Sequence, residues 1–190
     1  MKLKKYFWII ILAAGILTLI SLITPALYIR IHLFSDPGTQ EFWMWGLYTN
    51  RVPGVILDTG FILTDGPFEY GVPIFLSGII PVILILISSV MLIIIANGIR
   101  KDKNMIISAG NKLIGWGTTL CLGSVVYLIV ISFTLGIFVE YIFTGGFWYS
   151  SPNMWDLTNL GFAVIGPFIG AALALLSGIF SKTIKRREKS

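Results

Sequence analysis

Residues 73–98 read PIFLSGIIPVILILISSVMLIIIANG, and no residue among them carries a charge. A helix rises about 1.5 Å per residue, so roughly 20 apolar residues cross a hydrocarbon core of about 30 Å. This stretch is longer than that. Lipid offers the backbone no hydrogen-bond partners, so a chain crossing it must be helical. Three other stretches have the same character: 6–27, 113–139 and 159–180. The fold class expected is therefore an all-α membrane protein, a bundle of four transmembrane helices.

Composition agrees. Of 190 residues, 56% are hydrophobic and 12% charged, against about 25% charged in an ordinary soluble domain. So large an apolar excess does not fit inside so short a soluble chain, because small domains bury a limited share of their surface. His32 is the only histidine and Cys121 the only cysteine. The sequence thus offers no zinc or haem ligand set and no intramolecular disulfide, and it implies no cofactor.

Charge distribution sets an expected orientation. Lys2, Lys4 and Lys5 precede the first span, Arg100, Lys101, Lys103 and Lys112 surround the second connection, and Lys182, Lys185, Arg186, Arg187 and Lys189 follow the last span. Only Arg30 and Arg51 fall on the other side. Basic residues favour the cytoplasmic side, so both termini are expected inside, in a multi-pass protein of the plasma membrane. A rival reading of the first span is a secretory signal, with Thr24-Pro25-Ala26 as a weak cleavage site. The length of the apolar run favours an intact helix.

Close packing between membrane helices uses small residues. Gly166, Gly170, Ala174 and Gly178 recur every four residues in the fourth span, and Gly115, Thr119 and Gly123 make a weaker series in the third. These are expected to pack helices within the bundle, with a dimer face as the alternative. Pro81 and Pro167 lie inside spans two and four, where proline removes a backbone donor. No Asp, Glu, Lys, Arg or His lies at mid-membrane to bind an ion or relay a proton.

The connections are unequal. Residues 28–72 form the long first outer loop, 140–158 the shorter second one, and 99–112 the basic inner one. A structureless connection as long as the first is uncommon, and its middle is rich in strand formers. FWMWGLYT (42–49) reads as a strand. VILDT and FILTD around Asp58-Thr59-Gly60 read as a tight hairpin, followed by a turn at Asp65-Gly66-Pro67. A small extracellular antiparallel sheet of about three strands is expected within 28–72. Asp58-Thr59-Gly60 also matches the catalytic loop of aspartic peptidases. That chemistry needs a second carboxylate, and no second Asp-Thr-Gly exists. The turn reading is preferred, and catalytic and metal residues are expected to be none.

Trp43, Trp45, Gly46, Leu47 and Tyr48 in the first outer loop, with Trp148, Tyr149 and Trp155 in the second, form the expected outer recognition or interface surface. Aromatic rings favour the headgroup level and also serve as binding anchors.

Trp45-Gly46-Leu47-Tyr48 resembles the Gly-Leu-Trp segment of the claudin and peripheral myelin protein superfamily, with Tyr48 in place of tryptophan. That group has four spans, termini inside, a long strand-forming first outer loop and a third helix that projects outward. The two cysteines of its first loop are missing here, and Trp43 stands too close to represent its upstream tryptophan. The resemblance implies a non-enzymatic structural, adhesion or accessory role through lateral or cell-surface contacts. The expected partners are membrane lipid and, through the outer sheet, a second copy or another membrane protein; nucleic acid is not expected. A small transporter or channel is the alternative, and a membrane-embedded enzyme the third reading.

Overall fold

The computed structural model describes residues 3–33, 36–52, 55–61, 68–143 and 158–187. In chain order these form α1 (Leu3–Ile23), β1 (Leu27–Leu33), β2 (Asp36–Phe42), β3 (Leu47–Val52), β4 (Val55–Phe61), α2 (Phe68–Lys101), α3 (Met105–Phe143), β5 (Thr158–Leu160) and α4 (Phe162–Arg187). All four helices are long and apolar enough to cross a membrane, over Tyr6–Ile23, Gly78–Lys101, Met105–Ile129 and Phe162–Ile184. The protein is a four-helix membrane bundle with a small antiparallel sheet.

The helix ends differ from the apolar runs for local reasons. α1 stops at Ile23, two residues before Pro25, because the residue preceding a proline is disfavoured in helical conformation. Leu27 therefore starts β1 instead of ending the first span. The inner connection is also much shorter than 99–112. α2 continues through Lys101, and α3 restarts at Met105. Asp102 closes the turn between them: its Oδ1 accepts the Asn104 amide at 2.9 Å, and its carbonyl accepts the Met105 amide at 3.1 Å. Such Asx turns give the backbone an alternative to the helix ladder.

The chain divides into two compact units. The first comprises Met1–Ser21, Ile83–Ser124 and Gly166–Ser190. Within it the contacts of α1 with α2, of α1 with α4 and of α3 with α4 are antiparallel. Trp8 meets Arg100 while Gly15 meets Ser89 and Ile93. Phe7 stacks against Phe180 at 5.4 Å while Thr18 meets Gly170. Gly110 faces Gly178 while Gly117 faces Ala174. The helices thus run up, down, up and down. Its core is Phe7, Ile11, Ala14, Ile85, Leu92, Ile99, Ile106, Leu113 and Leu120. Ile83, Leu86, Ile87, Val90, Ile94, Leu122, Leu176 and Ile179 point outward. Large apolar side chains pointing outward in this number fit lipid as the surrounding medium.

Hydroxyls buried in this unit are mostly consumed by their own helices. Thr18 donates to the Ala14 carbonyl, Ser89 to Ile85 and Ser124 to Leu120, at 2.6–2.8 Å. Ser181 instead crosses to the Ile106 carbonyl on α3. Pro167 is buried, and α4 continues through it.

The second unit comprises Leu22–Val82 and Val125–Ile165 and contains every described strand. The sheet has five strands in the order β4-β3-β2-β1-β5, all antiparallel. Four come from the connection between α1 and α2, and the fifth comes from the connection between α3 and α4. β1, β5 and, apart from Phe42, β2 lie outside the strands read from sequence. Two positions also correct that reading. The stretch 42–49 is not one strand, since β2 ends at Phe42 and β3 starts at Leu47. Gly46 is the cause: its φ is 93°, a left-handed value that favours glycine. The loop closes through Gly46 N–H to the Trp43 carbonyl at 3.0 Å and Trp43 N–H to the Leu47 carbonyl at 2.8 Å. Asp58-Thr59-Gly60, expected as a turn, lies inside β4. β4 instead pairs along its length with β3, Val52 standing opposite Val55. Asp65-Gly66-Pro67 falls outside the described residues.

Candidate functional site

The aromatic stretch expected as an outer recognition surface ties the end of α1 to the β2–β3 loop. A helix leaves its last carbonyls without intrahelical partners. Trp45 Nε1 donates to the Leu22 carbonyl and Trp43 Nε1 to the Ile23 carbonyl, each at 3.1 Å. The next carbonyls go to α4. Ala26 accepts the Gly161 amide at 2.7 Å, and Pro25 accepts the Ala163 amide at 3.4 Å. The Ala26 amide donates to the Phe42 carbonyl at 2.5 Å. One short segment, Leu22–Ala26, therefore links a helix end, a hairpin loop and a helix start.

Two glycines let these backbones approach. A Cβ at Gly161 would strike the Pro25 carbonyl, and one at Gly78 would lie 2.5 Å from the Met44 carbonyl oxygen. Trp45 also packs on Phe61 with ring centroids 5.6 Å apart, and Phe42 on Tyr48 at 6.2 Å. Leu47 and Tyr48 open β3 and are half-buried. Trp148, Tyr149 and Trp155 lie outside the described residues.

A polar cluster sits across the middle of the sheet. Tyr28, Glu41, Thr49 and Thr59 are successive register partners from β1 to β4. Glu41 Oε2 accepts the Thr49 hydroxyl at 3.2 Å and faces Arg51 Nε at 3.3 Å. The Glu41 side chain is only 13% exposed, so water screens the pair less than it would a fully exposed one. Burial pushes the Tyr28 phenol above its ordinary value, the Glu41 charge adds to that rise, and Arg51 opposes it. Asp58, the residue of the peptidase-like stretch, is exposed and bonds the Thr59 amide at 2.8 Å. Among the described residues no His, Cys, Asp and Glu side chains group in a way that would hold a metal ion.

β4 is one edge of the sheet and carries three consecutive exposed apolar side chains. Val55, Ile56 and Leu57 are 55%, 56% and 47% exposed. Leu57 is the extra residue of a β-bulge, since Asp58 pairs with Asn50 and Ile56 with Arg51. A bulge and a charge on an edge hinder open-ended strand pairing. The apolar side chains beside them stay available for contact.

The small-residue series separate. Gly170, Ala174 and Gly178 meet α1 or α3, and Gly166 and Gly123 are buried. Gly115 faces open space. Gly15, Gly110 and Gly117, outside both series, have the close neighbours that Gly115 lacks. Their spacing follows the face of the partner helix, which the pattern of one helix does not reveal.

No protein-family model and no curated protein matches this chain. The functional reading therefore rests on the geometry. A four-helix membrane bundle without a catalytic constellation among its described residues is consistent with a non-enzymatic membrane role.

Proposed function

We propose that this chain is a non-enzymatic plasma-membrane protein that makes lateral or cell-surface contacts through its sheet, with both termini in the cytoplasm. Its partner is another membrane protein or a second copy of itself. The observation that carries the reading is the exposed apolar run Val55-Ile56-Leu57 on an edge strand whose bulge discourages indiscriminate pairing. Soluble sheets seldom leave three consecutive apolar residues half exposed at an edge. The role resembles that of the claudin superfamily. Four strands between the first two helices support this resemblance.

A photo-crosslinking residue at position 56 tests the proposal in intact membranes. A discrete protein adduct is expected there and not from position 87, which is also exposed but lies on a membrane-spanning helix. Lipid adducts alone at both positions would overturn it. For the transport alternative, the hydroxyls of Thr18, Ser89 and Ser124 are already committed to their own helices.

A further inference from the structure

The first unit carries a basic surface around the α2–α3 turn. Arg100 and Lys101 end α2, Lys103 lies in the three-residue turn, Lys112 is two turns into α3, and Lys182 lies near the end of the α4 span. All five are exposed. The one acid interleaved with them, Asp102, has its carboxylate turned onto the Asn104 amide. Three features suit the group to a charged interface. Each cation lies within about two helical turns of a span end, the level at which long basic side chains reach the interface. The Arg100 guanidinium lies 5.2 Å from the centre of the Trp8 ring, so an indole holds it in place. The Lys182 stem passes Gly110, where its Cγ would lie 3.1 Å from an added Cβ, and its ammonium continues outward. An apolar stem packed on a neighbouring helix with an exposed head is the arrangement that suits a charged interface.

We propose that this basic collar binds the headgroups of anionic phospholipids. The inference uses only the membrane-spanning bundle and stands apart from any role of the sheet. Opposite charge at the membrane surface is the physical basis, and its strength falls with ionic strength.

The test uses the full chain in phosphatidylcholine vesicles with a trace of spin-labelled phosphatidylserine or spin-labelled phosphatidylcholine. The fraction of motionally restricted label reports association. Phosphatidylserine is expected to be favoured by about threefold or more at low salt. The preference should fall towards parity in about 0.5 M salt, where the Debye length is only a few ångströms. It should also fall in the variant K101Q/K103Q/K112Q/K182Q, and it should be unchanged in Arg51→Gln. If the fourfold variant does not fold, the salt dependence of the wild-type chain decides. Parity at low salt, a preference that survives the variant or the salt, or displacement by millimolar inorganic phosphate would each overturn the proposal.

Discussion

Trp45 Nε1 donates to the carbonyl of Leu22 at 3.1 Å, which ties the hairpin loop of the sheet to the last turn of α1. Trp43 makes the matching bond to Ile23, but in a more exposed position. The two indoles act as a side-chain cap for carbonyls that the helix leaves unpaired.

Replacing Trp45 with phenylalanine keeps a ring beside Phe61 and removes the donor. Unfolding in detergent should show a loss of about 1–2 kcal/mol, since the part-buried Leu22 carbonyl loses its partner. Trp43→Phe should cost less than about 0.5 kcal/mol, because water reaches the exposed Ile23 carbonyl. Equal losses from the two variants would contradict the capping account.

Packing gives a sharper contrast between two glycines. A side chain at position 170 meets Thr18 and the Ala14 carbonyl, and both sit on a helix. Gly170→Val should destabilise the bundle by about 1–3 kcal/mol through overpacking. At position 115 nothing lies within 4 Å. Gly115→Ala should be neutral or stabilise by up to about 1 kcal/mol, as alanine loses less backbone freedom in a helix. Thermal unfolding of the two variants side by side checks both signs.

Tyr28 provides a titration test. Its folded value lies above the ordinary phenol value through burial and then Glu41, with Arg51 opposing. A raised value means that folding disfavours the phenolate. The contribution is therefore complete below the unfolded value near pH 10 and is lost as pH climbs through the folded value. Glu41→Gln should lower the Tyr28 value towards the ordinary one, and Arg51→Gln should raise it further. The absorbance difference between each variant and the same variant carrying Tyr28→Phe isolates this residue.

Orientation can be read by labelling. With Cys121 replaced by serine, a cysteine at Asn104 should resist an impermeant thiol reagent added to sealed cells. A cysteine at Thr59, which is exposed on β4, should react. Reaction at 104 and protection at 59 would invert the orientation on which the proposed function depends.

The Ile56→Asp variant separates contact from folding. Ile56 is 56% exposed at the sheet edge, so the change should alter stability by less than about 0.5 kcal/mol. It should nevertheless abolish any adduct formed through a cross-linker at position 55. A large loss of stability would show that the side chain supports the sheet instead of a partner.

Parts of this molecule were legible in its sequence, for reasons that differ by element. The spans were clear because the transfer of apolar residues into lipid adds along the chain and needs no knowledge of neighbours. The shortness of the α2–α3 turn is hidden in the sequence because charged residues at 100–103 and 112 read as one polar loop, although helices tolerate them near their ends. β4 was misread because Asp-Thr-Gly is a common turn sequence, and only pairing with β3 holds it extended. The two tryptophans stand out in the sequence, but their partners lie about 20 residues away, at the end of a helix.

By itself, the sequence determined the medium, the number of helices and the presence of strands between the first two. Each of these follows from the solvation and conformational preference of residues taken one at a time or in short runs. Only the tertiary structure decided that Gly170 meets Thr18 while Gly115 meets nothing, that Trp43 and Trp45 cap α1, and that a strand before α4 completes the sheet. Those are relations between residues far apart in the chain. Their energies depend on which surfaces close packing brings together, and short-range composition carries no record of that.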